Sequence, residues 1–194
     1  MLEPSRRDET LAQTLSFLWS LSSAPWNRFS ALWLLSRGYS ATAVGASKSA
    51  TLLAKVLAQP VWAAMSDVHG CAPVLLCSTL STALALEATR RTVESTAPAW
   101  RPLCVARIAR SAAAASSPVH DALVLALLDG RAAYGRSRVW ASLAWGGSSL
   151  ALGGLVDWLG FAALFASAYA LLALYAAGAL LVLRVAPRLS LIHI

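Results

Sequence analysis

Residues 37–70 read RGYSATAVGASKSATLLAKVLAQPVWAAMSDVHG, and this stretch decides the class of fold. From about Val44 to Met65 it is an apolar run, entered through the polar turn Ser36, Arg37, Gly38, Tyr39, Ser40 and left through Ser66 and Asp67. A helix needs roughly 20 such residues to cross about 30 Å of hydrocarbon, and the run is long enough. Lys55 sits near its middle, too far from either end for its stem to snorkel to the headgroups. A charge at that depth costs on the order of 2.5 to 3.5 kcal/mol on insertion scales. It is therefore expected to face a bundle interior or a water-filled cavity, as a working charge or as half of a structural ion pair, unless the span is placed differently.

Working outward, the same arithmetic repeats along the chain. Of 194 residues, 58% are apolar and 13% charged, and the mean hydropathy is +0.61. A soluble domain carries about 25% charged residues, so the low figure argues for a bilayer as solvent. Further apolar runs extend from about Leu11 to Leu35, with a kink expected at Pro25, and from Cys71 to Ala88, Pro102 to Leu128, Val139 to Val156 and Phe161 to Val185. The expected fold is an all-α membrane protein of six transmembrane helices, because only helices satisfy their own backbone in lipid at this segment length. Disorder, a collagen-like fibre and a disulfide scaffold are excluded by 11 Gly, 8 Pro and 3 Cys.

The net charge of +7 is dispersed over the ends of the runs, which argues against nucleic acid as a partner. Cys71, Cys77 and Cys104 have no CxxC spacing and read as buried thiols. No GxSxG, HExxH or GxxxxGK[ST] pattern occurs, so no catalytic residue, metal site or cofactor is expected and the chain does not read as an enzyme. With the N-terminus inside, Arg6, Arg7, Arg131, Arg136, Arg138, Arg184 and Arg188 lie on the cytoplasmic side and Arg37, Arg90, Arg91 and Arg101 outside. That bias favours both ends in the cytoplasm. Trp100, Trp140 and Trp158 fall near expected span ends, where indoles favour the interface.

The fourth run carries a second group of charges. Arg107 and Arg110 are three apart, and Asp121 is eleven beyond Arg110, so on a continuous helix all three share one side. Interior pairing among them is expected, the alternative being that Arg107 and Asp121 sit near opposite headgroup layers. The small residues Ser111 to Ser117 allow close helix approach, and Pro118 should loosen the helix before Asp121. Arg28 is placed to snorkel outward, Glu87 to pair with Arg90 or Arg91, and His120 to serve as a hydrogen-bonded polar residue or a proton relay.

Two segments resemble a known family. In residues 37–70, the outer turn, the second helix ending in Gln59, Pro60 and Trp62, and the Asp67 to Gly70 element resemble the major facilitator superfamily, in its branch of "major facilitator superfamily associated" proteins. In Leu128 to Gly147, LDGRAAYGRSRVWASLAWGG, the residues Tyr134, Gly135, Arg136, Arg138, Trp140, Ser142, Trp145 and Gly146 resemble that branch's signature after helix four. The chain departs from the pattern at Val68, His69, Cys71 and Ala72 beside the aspartate, at Ala141 and Ala144, and at Arg28.

The resemblance implies the N-terminal half of a major facilitator fold, built of two inverted three-helix repeats over residues 11–94 and 95–188, after a cytoplasmic segment 1–10. It implies a plasma-membrane secondary transporter of a small polar solute, sugar- or nucleoside-like, with protons as a candidate coupling ion. The partners would be the bilayer, the solute and a C-terminal six-helix half absent from this sequence. Residues 189–194, LSLIHI, resemble a translated sequencing adapter and are expected to be foreign to the fold. On this reading Lys55, Arg107, Arg110 and Asp121 line the solute or ion path. Asp67 and Gly70 form a cytoplasmic gate with a loop of Tyr134, Gly135, Arg136 and Arg138. A non-transporting receptor or scaffold of the same fold is the alternative.

Overall fold

Lipid leaves an unpaired backbone amide or carbonyl without a partner, and the chain responds with helices throughout. The computed structural model describes residues 6–95, 98–128 and 130–185. Among these it forms α1 (Arg6–Ser36), α2 (Ala41–His69), α3 (Cys71–Ser95), α4 (Trp100–Ala113), α5 (Ser117–Leu127), α6 (Gly130–Leu159) and α7 (Phe161–Val185), and no strand. The expected tail 189–194, Arg188 and the side chain of Arg131 fall outside the described residues.

Three of the helices, α3, α6 from Ala133 and α7, are long and apolar enough to cross a membrane, where the sequence led us to expect six. The difference has two sources. α1 and α2 have the length, at 31 and 29 residues, but serines, Asn27, Lys48 and Lys55 dilute their apolar runs. The fourth run is not one helix. It breaks at Ala114 to Ser116 into pieces of 14 and 11 residues, each too short to span alone. Pro118, near the start of α5, cannot supply an amide to the preceding turn, and it biases the residue before it away from helical geometry. The proline at position 25 does not interrupt α1, nor Pro60 α2.

The segment from Tyr134 to Arg138, expected as a loop, is helical because α6 begins at Gly130. Its polar residues are held from outside the helix. Arg136 pairs with Glu9 of α1 at 2.8 Å, and Ser137 meets Ser16 of α1 at 2.6 Å between the hydroxyl oxygens. Trp140 is accordingly an exposed residue well inside α6 and not at its end, whereas Trp100 and Trp158 are exposed at helix ends.

The chain reverses from α2 to α3 at a single residue. Gly70 adopts φ 82° and ψ 157°, and its amide donates to Ser66 O at 2.9 Å. That region of backbone space is essentially closed to side-chain-bearing residues. Gly70→Ala is expected to lower stability by about 1–3 kcal/mol, read as a drop in melting temperature of the purified protein. An unchanged melting temperature would contradict the single-residue reversal.

α1 packs chiefly on α6 and α7, and α4 on α2 and α3, so helices from the two halves of the sequence intermix. The apolar interior is divided in two. One core gathers Leu15, Leu75, Val119, Leu123, Leu127 and Val182 at the end where α5 lies. The other gathers Trp33, Leu34, Leu86, Val93, Leu103, Leu164 and Phe165 at the opposite end, with Trp33 edge-on to Phe165 at 4.9 Å. Large apolar side chains also face outward, among them Leu53, Val56, Leu57 and Val61 on α2 and Leu143 and Leu150 on α6. Exposed runs of this kind would be a liability in water and are ordinary against lipid.

Candidate functional site

Between the two cores, at mid-height of the bundle, the packing gives way to a cavity of about 290 Å³. On α1 the polar residues Ser20, Ser22, Ser23 and Asn27 reach it from between Leu15 and Trp33. On α3 Ser78, Thr79 and Thr82 reach it from between Leu75 and Leu86. Trp19, Trp145 and Tyr175 supply aromatic walls, and Lys55, Arg110 and Arg138 supply charge. A side recess of about 90 Å³ shares Asn27, Lys55, Arg110 and Ser111 with it and adds Lys48 and Arg107.

Many hydroxyls here use their proton within their own helix: Ser22 donates to Trp19 O at 2.9 Å and Thr79 to Leu75 O at 2.7 Å. Such bonds let serine and threonine sit in an apolar bundle while an oxygen lone pair stays available. Ser47 shows the consequence. Its hydroxyl donates to Val44 O at 2.9 Å and accepts Nη1 of Arg107 at 2.6 Å.

The break in the fourth run is built by its neighbours. The Trp62 indole donates to Ala112 O at 2.8 Å, beside the Ala115 amide at 3.2 Å, and Ser78 donates to Ala113 O at 2.7 Å, so side chains from α2 and α3 engage the carbonyls at the end of α4. Gln59 reaches Ser117 Oγ at 3.2 Å on the other side of the break. Gln59 and Trp62 thus brace the interruption, a role that their place in the Gln-Pro-x-Trp element did not reveal and that Trp62 as packing alone would not fill. Ala114, Ser111 and Ser117 at the break all line the cavity.

The break also separates charges that a continuous helix would align. Arg107 is 3% exposed and bonds to Ser47, and Arg110 lies over the Trp26 ring at 4.7 Å. Asp121 instead faces Arg138 of α6 at 3.6 Å. The expected Arg107, Arg110 and Asp121 face is therefore corrected: the two arginines are interior, but Asp121 belongs to a different cluster nearer the start of α6. Lys55 is half-buried and lines both the cavity and the recess.

Of the expected gating residues, Gly70 makes the α2 to α3 reversal and Asp67 is exposed three residues before it. Arg136 and Arg138 make their ion pairs with Glu9 and Asp121, tying α6 to α1 and α5. Tyr134 is half-buried under the Arg138 guanidinium at 5.9 Å, and Gly135 is exposed in α6. Glu87 pairs with Arg90 and Arg91, both at 2.7 Å, as expected, and also accepts the Tyr169 hydroxyl at 2.6 Å. Arg28 is exposed over the Trp145 ring at 5.2 Å. His120, 3% exposed, stacks on Trp19 at 4.8 Å with Nδ1 3.0 Å from the Tyr175 hydroxyl, which makes it a buried hydrogen-bonded residue behind the cavity wall.

Lys48 was missed from the sequence. It stands seven residues, two helical turns, before Lys55 and so on the same face of α2, and that spacing was the signal available. Among the described residues no group of three or more His, Cys, Asp or Glu side chains is placed to hold a metal ion.

No curated protein and no solved structure matches the chain. A comparison with known protein families does match, covering residues 14–191 and so nearly the whole bundle with its cavity. With the two motifs, the apolar spanning helices and this match in hand, the chain belongs to the MFS_1 like family, whose fold is of the transporter type.

Proposed function

We propose that the chain is the N-terminal six-span half of a secondary transporter, in which α4 and α5 together make the fourth span, and that the cavity between the cores is its share of the solute path. The observation that carries this is a polar, charge-lined cavity of about 290 Å³ held between two apolar cores at mid-height of the helices. A bilayer protein that only needed to be stable would fill that layer with apolar side chains, since intramembrane ionisable groups are costly and mark pathways. The family match supports the transport class.

On this reading a small polar solute, sugar- or nucleoside-like in its hydroxylated body, binds among the serine and threonine hydroxyls and crosses by alternating access, with protons as the candidate coupling ion. Arg136 with Glu9 and Arg138 with Asp121 close the end of the bundle where α6 starts, and opening that end breaks these exposed pairs. Each is worth only about 0.2–1 kcal/mol, which suits a gate that must open on the timescale of turnover. The two inverted three-helix repeats, the cytoplasmic ends and the plasma membrane belong to the same reading. Solute accumulation in vesicles containing the full-length protein tests it, run with and without a proton gradient. Accumulation supports it; ligand binding with no accumulation in any vesicle would favour a receptor or scaffold of the same fold.

A further inference from the structure

The charge around the cavity has one sign. Lys48, Lys55, Arg107 and Arg110 surround the side recess, and among the described residues no carboxylate lines either the recess or the main cavity. The carboxylate of the neighbouring cluster, Asp121, is engaged by Arg138. Nε of Arg107 and Nε of Arg110 are both buried without a hydrogen-bond partner, where buried donors ordinarily find one; Trp33 Nε1 and the Tyr39 hydroxyl share that condition in the apolar core, but only the two arginines carry charge. Arg110 is held in place by the Trp26 ring, so its guanidinium is aimed and not merely stranded.

Fixed like charges about one small recess repel each other, and burial away from water strengthens that repulsion. Arg107 and Arg110 carry most of this cost, since Lys55 is half-buried and Lys48 exposed, and a counter-charge entering the recess would relieve it. The recess is lined by α1, α2 and α4, and it shares residues with the main cavity, so the cavity is a route for that counter-charge. The geometry points to a small organic anion as the solute, its carboxylate or phosphate seated in the recess against Arg110 and Lys55 and its polar body lying in the main cavity. Guanidinium forks match either oxyanion through paired N–H donors, and an ammonium adds a point charge. The recess, at about 90 Å³, suits one such group, while the main cavity, at about 290 Å³, takes the remainder. This inference rests on the cavity being the solute path and narrows its substrate class.

The test measures binding to the purified full-length protein, by tryptophan fluorescence, of probe pairs that differ in charge: glucose with glucose 6-phosphate, glucose with glucuronate, and uridine with uridine monophosphate. Inorganic phosphate serves as the headgroup alone. The anionic member of at least one pair should bind about tenfold tighter than its neutral partner, a typical consequence of charge-assisted contacts. Phosphate pairs and carboxylate pairs separate the two headgroup sources. Arg110→Gln should bring the ratio close to one, and Arg110→Lys, which keeps the charge and loses the fork, should retain part of it and guards against a folding defect in the first variant. The inference is overturned if neutral members bind as well or better, if only inorganic phosphate binds, if no anionic probe binds, or if the ratio survives Arg110→Gln. The last result would mean that the cations are matched within the assembled protein. Preferred accumulation of a neutral solute would sink the anion and leave transport standing; anion binding without accumulation would do the reverse.

Discussion

Uptake by vesicles containing the full-length protein should fall about a hundredfold when Lys55→Ala and Asp121→Asn are combined. Lys55 borders both the cavity and the recess, so removing its ammonium deletes a charge-assisted contact worth about 1.5–3 kcal/mol to a bound solute. Asp121→Asn leaves Arg138, which also lines the cavity, without its partner at 3.6 Å and adds about 0.2–1 kcal/mol. Because the two residues sit in separate clusters, the losses should add. Equal amounts of protein in the membrane, checked by immunoblot, make the comparison one of function. Uptake equal to wild type would remove Lys55 from the path and Asp121 from the gate.

The second large effect concerns the break between α4 and α5. Trp62→Phe and Ser78→Ala each remove one donor to the carbonyls of Ala112 and Ala113; the first keeps an aromatic ring of smaller size, and the second also removes the 2.7 Å contact of Ser78 with the Ser116 hydroxyl. Interhelical hydrogen bonds in bilayers average near 0.6 kcal/mol with a maximum near 1.7; Ala112 O keeps the Ala115 amide at 3.2 Å while the Ala113 carbonyl loses its side-chain donor, so the double variant should lose about 2 kcal/mol. Reversible unfolding in mixed detergent reads this directly. Either variant alone should lose about half. A double variant within about 0.3 kcal/mol of wild type, the ordinary scatter of additive effects, would show that the break needs no bracing.

These two predictions also mark what the sequence made legible. Lys55, Arg107 and Arg110 stood out because a charge inside an apolar run is costly wherever the helix ends up, and all three lie at the cavity or its recess. The partner of Arg110 was misjudged because a 3.6-residue period holds only along an unbroken helix. Pro118 signalled a weak point, but nothing local said that Trp62 and Ser78, 50 and 35 residues from the carbonyls they cap, would make a full interruption affordable. The start of α6 was read about nine residues late, at Val139 and not Gly130, for the opposite reason. Arg136 and Arg138 look like loop residues by hydropathy, yet Glu9 and Asp121 hold them on a helix. Lys48 was passed over because attention went to the charge nearest the middle of α2, although its two-turn spacing from Lys55 was present in the sequence.

Charge pattern and family motifs thus located the polar layer, whereas its contacts depended on tertiary pairs that no sequence spacing encodes. The helices differ in the same way: α3, α6 and α7 announce themselves by hydropathy even though α3 and α6 also reach the cavity, while in α1 and α2 serines, Asn27, Lys48 and Lys55 dilute the signal and the fourth run is cut into two short helices.

The most direct measurement inverts solvent exposure between two positions in native membranes. In a background lacking Cys71, Cys77 and Cys104, single cysteines are placed as Ser23→Cys and Leu53→Cys and treated with a charged, water-soluble thiol reagent. Ser23 lines the cavity and is half-buried, whereas Leu53 is 62% exposed on the outer face of α2. If the cavity is an aqueous path through a bilayer protein, the cysteine at position 23 is modified and the one at 53, facing lipid, is not. Modification at 53 with protection at 23 would contradict the account.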